Sequence, residues 1–130
     1  MNNLEVLREL TDKLPPVIPL SNGERVAFDL EKGISVMWKV WQDDDEEASI
    51  VRAENTRGTK FPCHVHDTHE FLIFYTGRAE IEFEDGAVLL EAPASFHIEP
   101  GRRHRLHYHT DCRLIAVFVP ADPEVWSVRN

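Results

Sequence analysis

Between Gly58 and Gly77 the chain reads GTKFPCHVHDTHEFLIFYTG. His64, His66 and Glu70 stand at even separations within this run, and residues two apart on a β-strand point to the same face. An extended backbone therefore gathers the three side chains into one inward-facing cluster. Imidazoles and a carboxylate suit one divalent ion of the borderline class (Fe, Mn, Ni, Co or Zn), and a ligand set left incomplete by the protein keeps positions for water or substrate. A helix would instead bring His66, His69 and Glu70 together, but the metalloprotease helix needs its histidines four apart with the Glu beside the first. Pro62 before the cluster and Phe71-Leu72-Ile73-Phe74-Tyr75 after it favour strand. The other reading is a set of hydrogen-bonded interior residues with no metal, which buries a carboxylate between histidines at a cost.

The spacing Gly58, five residues, His64, one residue, His66, three residues, Glu70, six residues, Gly77 resembles without a gap the first motif of the cupin superfamily. Pro100-Gly101-Arg102-Arg103-His104 resembles the middle of the second motif, from which the chain departs at Glu99 in place of Pro and at Tyr108 in place of Asn. Together the motifs and the strands between them span about residues 46 to 120. The resemblance implies an all-β fold, a double-stranded β-helix or jelly-roll barrel with the site in its bore, and it adds His104 to His64, His66 and Glu70 as metal ligands.

The chain has 130 residues, enough for one domain with a real core. Its 14 Lys and Arg against 23 Asp and Glu give a formal charge of -9, which repels phosphate backbones and anionic lipid heads, so nucleic acid and membrane are not expected partners. No apolar run has the length of a membrane span, and the first residues lack the basic start and apolar block of a secretion signal. A cytoplasmic location is expected, with Cys63 and Cys112 as free thiols.

Asn2 with Glu5 reads as a helix cap, and Leu4, Leu7, Leu10 and Leu14 then recur near helical spacing until Pro15-Pro16 stop them. Residues 1–22 are thus expected to form a short N-terminal helix and connector, residues 23–120 the barrel, and residues 121–130, with Pro123 and Trp126, a docked tail. From Val26 onward short strands take over. Ile34 to Trp41 alternates loosely, and its two tryptophans suggest a broad apolar face. The acidic block Asp43 to Glu47 lacks the spaced ligands and Gly of a calcium loop and reads as a solvated turn. Ala79 to Glu84 alternates with Ile81 and Phe83 inward, Asp85-Gly86 signals a hairpin, and Leu114 to Val119 is an apolar strand.

A strand beginning at His104 aims His104, Leu106 and Tyr108 inward and His107 and His109 outward. His97 competes for the fourth ligand position but lacks the preceding turn. Three histidines and one glutamate would leave two of six octahedral positions open, enough for a bidentate oxygen ligand or for one substrate atom with dioxygen. The Tyr108 phenol is a candidate general acid. Phe61, Leu72, Phe74, Phe83 and Val117 are candidate lining residues of an apolar substrate pocket, and Arg102, Arg103 and Arg105 cluster at one barrel mouth. The reaction range implied by the resemblance covers dioxygenases, isomerases, decarboxylases and lyases acting on small organic molecules. Dioxygenase-like oxidation is the leading expectation, with a non-catalytic ligand- or metal-sensing module as the alternative. Phe71, Ile73 and Tyr75, apolar and outward, suggest a homodimer.

Overall fold

Alternating apolar residues and frequent Gly, Pro and Asp turns make strands the recurring element of the described residues. The computed structural model describes residues 33–121 together with the backbone of two further strands at 17–19 and 24–27. The strands in chain order are β1 (Val17–Pro19), β2 (Glu24–Ala27), β3 (Ser35–Gln42), β4 (Ser49–Asn55), β5 (His69–Thr76), β6 (Arg78–Phe83), β7 (Gly86–Glu91), β8 (Ala94–Ile98), β9 (His104–Tyr108) and β10 (Cys112–Val119). They form two antiparallel sheets, one ordered β1-β2-β3-β4-β10-β5-β8 and the other β7-β6-β9. This is the expected all-β jelly roll. The expected N-terminal helix and the tail from residue 122 lie outside the described residues, among which no helix is long and apolar enough to cross a membrane.

The inner faces follow the two-residue period of strands. On β5, Leu72 and Phe74 are closed off while Phe71, Ile73 and Tyr75 are exposed, and on β6 Ala79 and Ile81 are completely buried. Leu106, Ile98, Leu114 and Ala116 complete the layer between the sheets. Each large side chain in it contributes about 1.5–3 kcal/mol through loss of contact with water.

Residues 58–64 add a further edge to the small sheet by running antiparallel to β9. Gly58 and Phe61 donate to the Tyr108 and Leu106 carbonyls, and His64 and His104 exchange both main-chain hydrogen bonds at 2.9 Å. The bridge Lys60 to His107 and the bridge His64 to His104 are one residue out of step. Pro62 between them has no N–H to give, so the extra residue falls where a ladder bond is impossible.

Two expectations are corrected. The tryptophans of β3 do not mark its buried face: Ser35 and Met37 point inward, Trp41 is half exposed, and the Arg52 guanidinium covers Trp38 at 4.5 Å. A register shift between Lys39 and Trp41 breaks the alternation there. The β6–β7 hairpin forms as expected, but Phe83 pairs with Gly86, so its loop is Glu84-Asp85 rather than Asp85-Gly86.

Gly58 and Gly77 both have positive φ, +87° and +94°, yet they sit in different surroundings. A Cβ on Gly58 would meet nothing, whereas one on Gly77 would run into the Asp111 carbonyl and the Cys112 sulfur. Gly58→Ala is expected to cost about 1–2 kcal/mol, from the left-handed backbone alone. Gly77→Ala should cost a further 1–3 kcal/mol, roughly, for the collision. Urea unfolding of both variants checks this, and equal midpoints would contradict it.

Candidate metal centre

His64 and His66 come from the extended segment ahead of β5, Glu70 from β5 itself, and His104 from the first position of β9. The segment is not a continuous strand: from His64 to Thr68 only His64 is bridged, the chain bends at Asp67 and Thr68, and Val65 is buried along with both histidines. The three histidines nevertheless come together. One ligand nitrogen from each of His64, His66 and His104 lies within 4.8 Å of the other two. Ring centroids are 4.6 Å apart for His64 and His104, 5.0 Å for His66 and His104, and 5.7 Å for His64 and His66. Glu70 Oε1 sits beside them, 3.0 Å from His66 Nε2 and 3.7 Å from His104 Nε2.

The rings are held from behind. His64 Nδ1 donates to the Pro62 carbonyl at 2.8 Å, His104 Nδ1 to the Arg102 carbonyl at 2.7 Å, and His66 Nδ1 to the Thr68 carbonyl at 3.1 Å. For His64 and His104, donation from Nδ1 fixes the tautomer that leaves Nε2 as a lone pair, the arrangement that orients metal-binding imidazoles, while His66 Nε2 faces Glu70 Oε1 at 3.0 Å. Thr68, fully buried, adds its hydroxyl to His66 Nδ1 at 2.9 Å. The Pro100-Gly101 turn is tied in through the Gly101 N–H, which donates to the His66 carbonyl at 2.9 Å. His104 Nε2 is completely buried and has no hydrogen-bond partner among the described residues, Glu70 Oε1 being 3.7 Å away. An unpaired buried nitrogen costs about 1–3 kcal/mol, a cost that a cation beside three imidazoles and a carboxylate would remove. The donor set and its spacing fit a divalent ion of the borderline class.

The family model for the cupin domain matches residues 54–119, half of the chain. The chain belongs to the cupin family. No protein with a curated description matches it. Among solved structures, KdgF from Halomonas sp. superposes with a TM-score of 0.62 at 19% identity over 68% of this chain and 82% of its own. A predicted oxalate decarboxylase from Thermotoga maritima superposes with a TM-score of 0.65 at 16% identity over 80% and 97%. Ectoine synthase from P. lautus gives 0.59 at 17% identity over 68% and 65%. At these identities the likeness is one of fold, and it joins cupins of varied activity.

The cupin barrel settles where the other expected residues stand. Tyr108 is buried with the Phe61 ring edge-on and the Phe74 ring tilted against it, four positions further along β9 than His104, roughly 13 Å of strand. Burial, with Glu70 and Cys112 adding to it, raises its phenol well above the ordinary range, so the placement gives no support to a general acid there. Leu72 and Phe74 fill the core. Val117 lies out of phase with the buried Leu114 and Ala116 on β10, and its in-phase neighbour Phe118 takes the inward place, with its ring 6.2 Å from His66. Of the expected lining residues, Phe83 is the one that faces the site: its ring is 6.4 Å from His104. It borders an open cleft of about 570 Å³ with Val65, Glu84, Asp85, Gly101, Arg102 and Arg103. Arg102 stacks over Phe83 at 3.6 Å and reaches Asp85 at 3.7 Å, while Arg103 reaches Glu84 at 3.9 Å. His97 is on the outer surface, stacked on Phe71 and bonded to His69, which removes it as a ligand. Sequence reasoning missed Thr68, Val65 and Phe118. The signal for Thr68 was its polar side chain between two cluster residues.

Burial would raise the Glu70 carboxyl, but the nearness of His104 and the hydrogen bond from His66 hold it well below the usual carboxylate range. Burial first, then the neighbouring His104, pushes His64 from 6.5 down to about 3. His64 is therefore neutral in the folded chain and binds its proton only on unfolding. The metal-free protein keeps full stability from this residue above pH 6.5 and loses it as the pH falls, by up to about 1.4 kcal/mol per pH unit. The loss attributable to Glu70 sets in only below its ordinary 4.5. Urea midpoints of metal-free wild type and His64→Ala between pH 7 and 5 should converge on acidification, and parallel curves would contradict the assignment.

Proposed function

We propose that this cupin is a metal-dependent oxidoreductase of dioxygenase type, acting on a small organic molecule that enters from the cleft beside Phe83. The reading is carried by one observation: three imidazoles, each held by Nδ1 on a main-chain carbonyl, turn their remaining nitrogens to a common buried point beside the Glu70 carboxylate. His64, His66, Glu70 and His104 would hold the ion. Bound there, an iron- or manganese-like centre supplies Lewis acidity and electrons for oxygen-dependent chemistry.

The protein's own residues do the rest. Glu70, kept ionised, offsets the charge of a divalent ion, and neutral His64 offers its lone pair without first releasing a proton. Val65 and Phe83 screen the approach from bulk water, and Arg102 and Arg103 at the rim favour a substrate with an anionic group. Phe71, Ile73 and Tyr75, 39%, 44% and 44% exposed, supply the apolar surface for a homodimer.

Metal-reconstituted protein is expected to consume oxygen with at least one member of a panel of diols, enols and thiols carrying a carboxylate. His104→Ala should abolish metal retention and oxygen uptake together. Retained metal and tight ligand binding with no turnover across the panel would instead make the domain a binding or sensing module.

A further inference from the structure

The outward face of the three-stranded sheet carries a second convergence of donors. Glu80 on β6 is paired in register with His107 on β9, and His109 follows two positions on, its N–H donating to the Arg78 carbonyl at 3.0 Å so that the chain stays in register. Residues two apart on one strand are separated by roughly 6.6 Å of rise, yet the rings of His107 and His109 lean together to a centroid distance of 4.3 Å. His109 Nε2 and Glu80 Oε1 are 3.0 Å apart. One donor atom from each of Glu80, His107 and His109 lies within 4.8 Å of the other two, and all three residues are half-buried. They occupy the opposite side of β9 from His104, Leu106 and Tyr108, so the cluster shares no ligand with the barrel interior.

We propose that Glu80, His107 and His109 form a second divalent-cation site on the outside of the barrel, taking Zn²⁺ or another late first-row ion such as Ni²⁺ or Cu²⁺, with water in the remaining positions. Two imidazoles and one carboxylate select these ions over Ca²⁺ and Mg²⁺, which take oxygen ligands. Donor atoms bound at about 2.0–2.2 Å to one ion stand somewhat over 3 Å apart, a small contraction from the observed cluster. An ion here would clamp β6 to β9, the strand that carries His104 on its other side.

The site does not depend on the interior one, and Zn²⁺ alone separates them. Equilibrium dialysis of the full chain against Zn²⁺ at pH 7, with elemental analysis, would compare wild type with H107A/H109A, H64A/H66A and E80Q. H107A/H109A should lose one equivalent of zinc and H64A/H66A should retain that equivalent, while E80Q, which keeps the shape of the side chain, should weaken it by more than about tenfold. Zinc should also raise the unfolding temperature of H64A/H66A but not of that variant combined with H107A/H109A. Unchanged zinc content and affinity in both H107A/H109A and E80Q would overturn the proposal. Loss of all zinc in H107A/H109A would uphold it and remove the interior site instead.

Discussion

Two main-chain hydrogen bonds, His64 N–H to the His104 carbonyl and the reverse, both 2.9 Å, hold the site end of this protein together. A residue pair that exchanges both bonds is fixed in register, and here the paired residues are themselves histidines. The same contact that adds residues 58–64 to the edge of the small sheet thus sets two imidazoles 4.6 Å apart. Bringing segments so distant in sequence together costs loop-closure entropy, which the surrounding ladder and the apolar layer of Leu72, Phe74, Ile81 and Ile98 offset.

The polar cluster inside that layer is costly without a cation. His64 must stay neutral, Glu70 stays ionised beside His66, and His104 Nε2 has no hydrogen-bond partner among the described residues. What keeps the arrangement from collapsing is the set of carbonyls behind it. Pro62 and Arg102 each accept from the histidine two positions later, and Thr68 accepts from the histidine two positions earlier. The rings are oriented by local backbone, so the site is shaped by the fold and not by the ion it would receive. The cleft at its rim is built from the Glu84-Asp85 loop and the residues after the Pro100-Gly101 turn.

Much of this was legible because strand alternation fixes phase wherever polar and apolar residues take turns. His104, Leu106 and Tyr108 inward, and Ala79 with Ile81 inward, follow from that rule. It is silent where the residues do not alternate. From Leu114 to Val119 every side chain is apolar, so only the neighbouring strand, with Ala116 opposite Leu72 and Phe118 opposite Glu70, decides that Phe118 and not Val117 points inward. In β3 the register shift after Lys39 cancels the phase set by Met37. The outer cluster was hidden for another reason. His107 and His109 were readable as outward, but their meeting with Glu80 requires the pairing of β6 with β9, a contact that no local pattern specifies.

The claim on which the functional account rests is that one divalent cation sits among His64, His66, Glu70 and His104. Anomalous diffraction from crystals of the full chain grown with Mn²⁺ or Co²⁺ tests it directly. The account predicts a peak flanked by the Nε2 atoms of all three histidines and by the Glu70 carboxylate. Density for His104 Nε2 with no peak beside it at saturating metal would contradict the account.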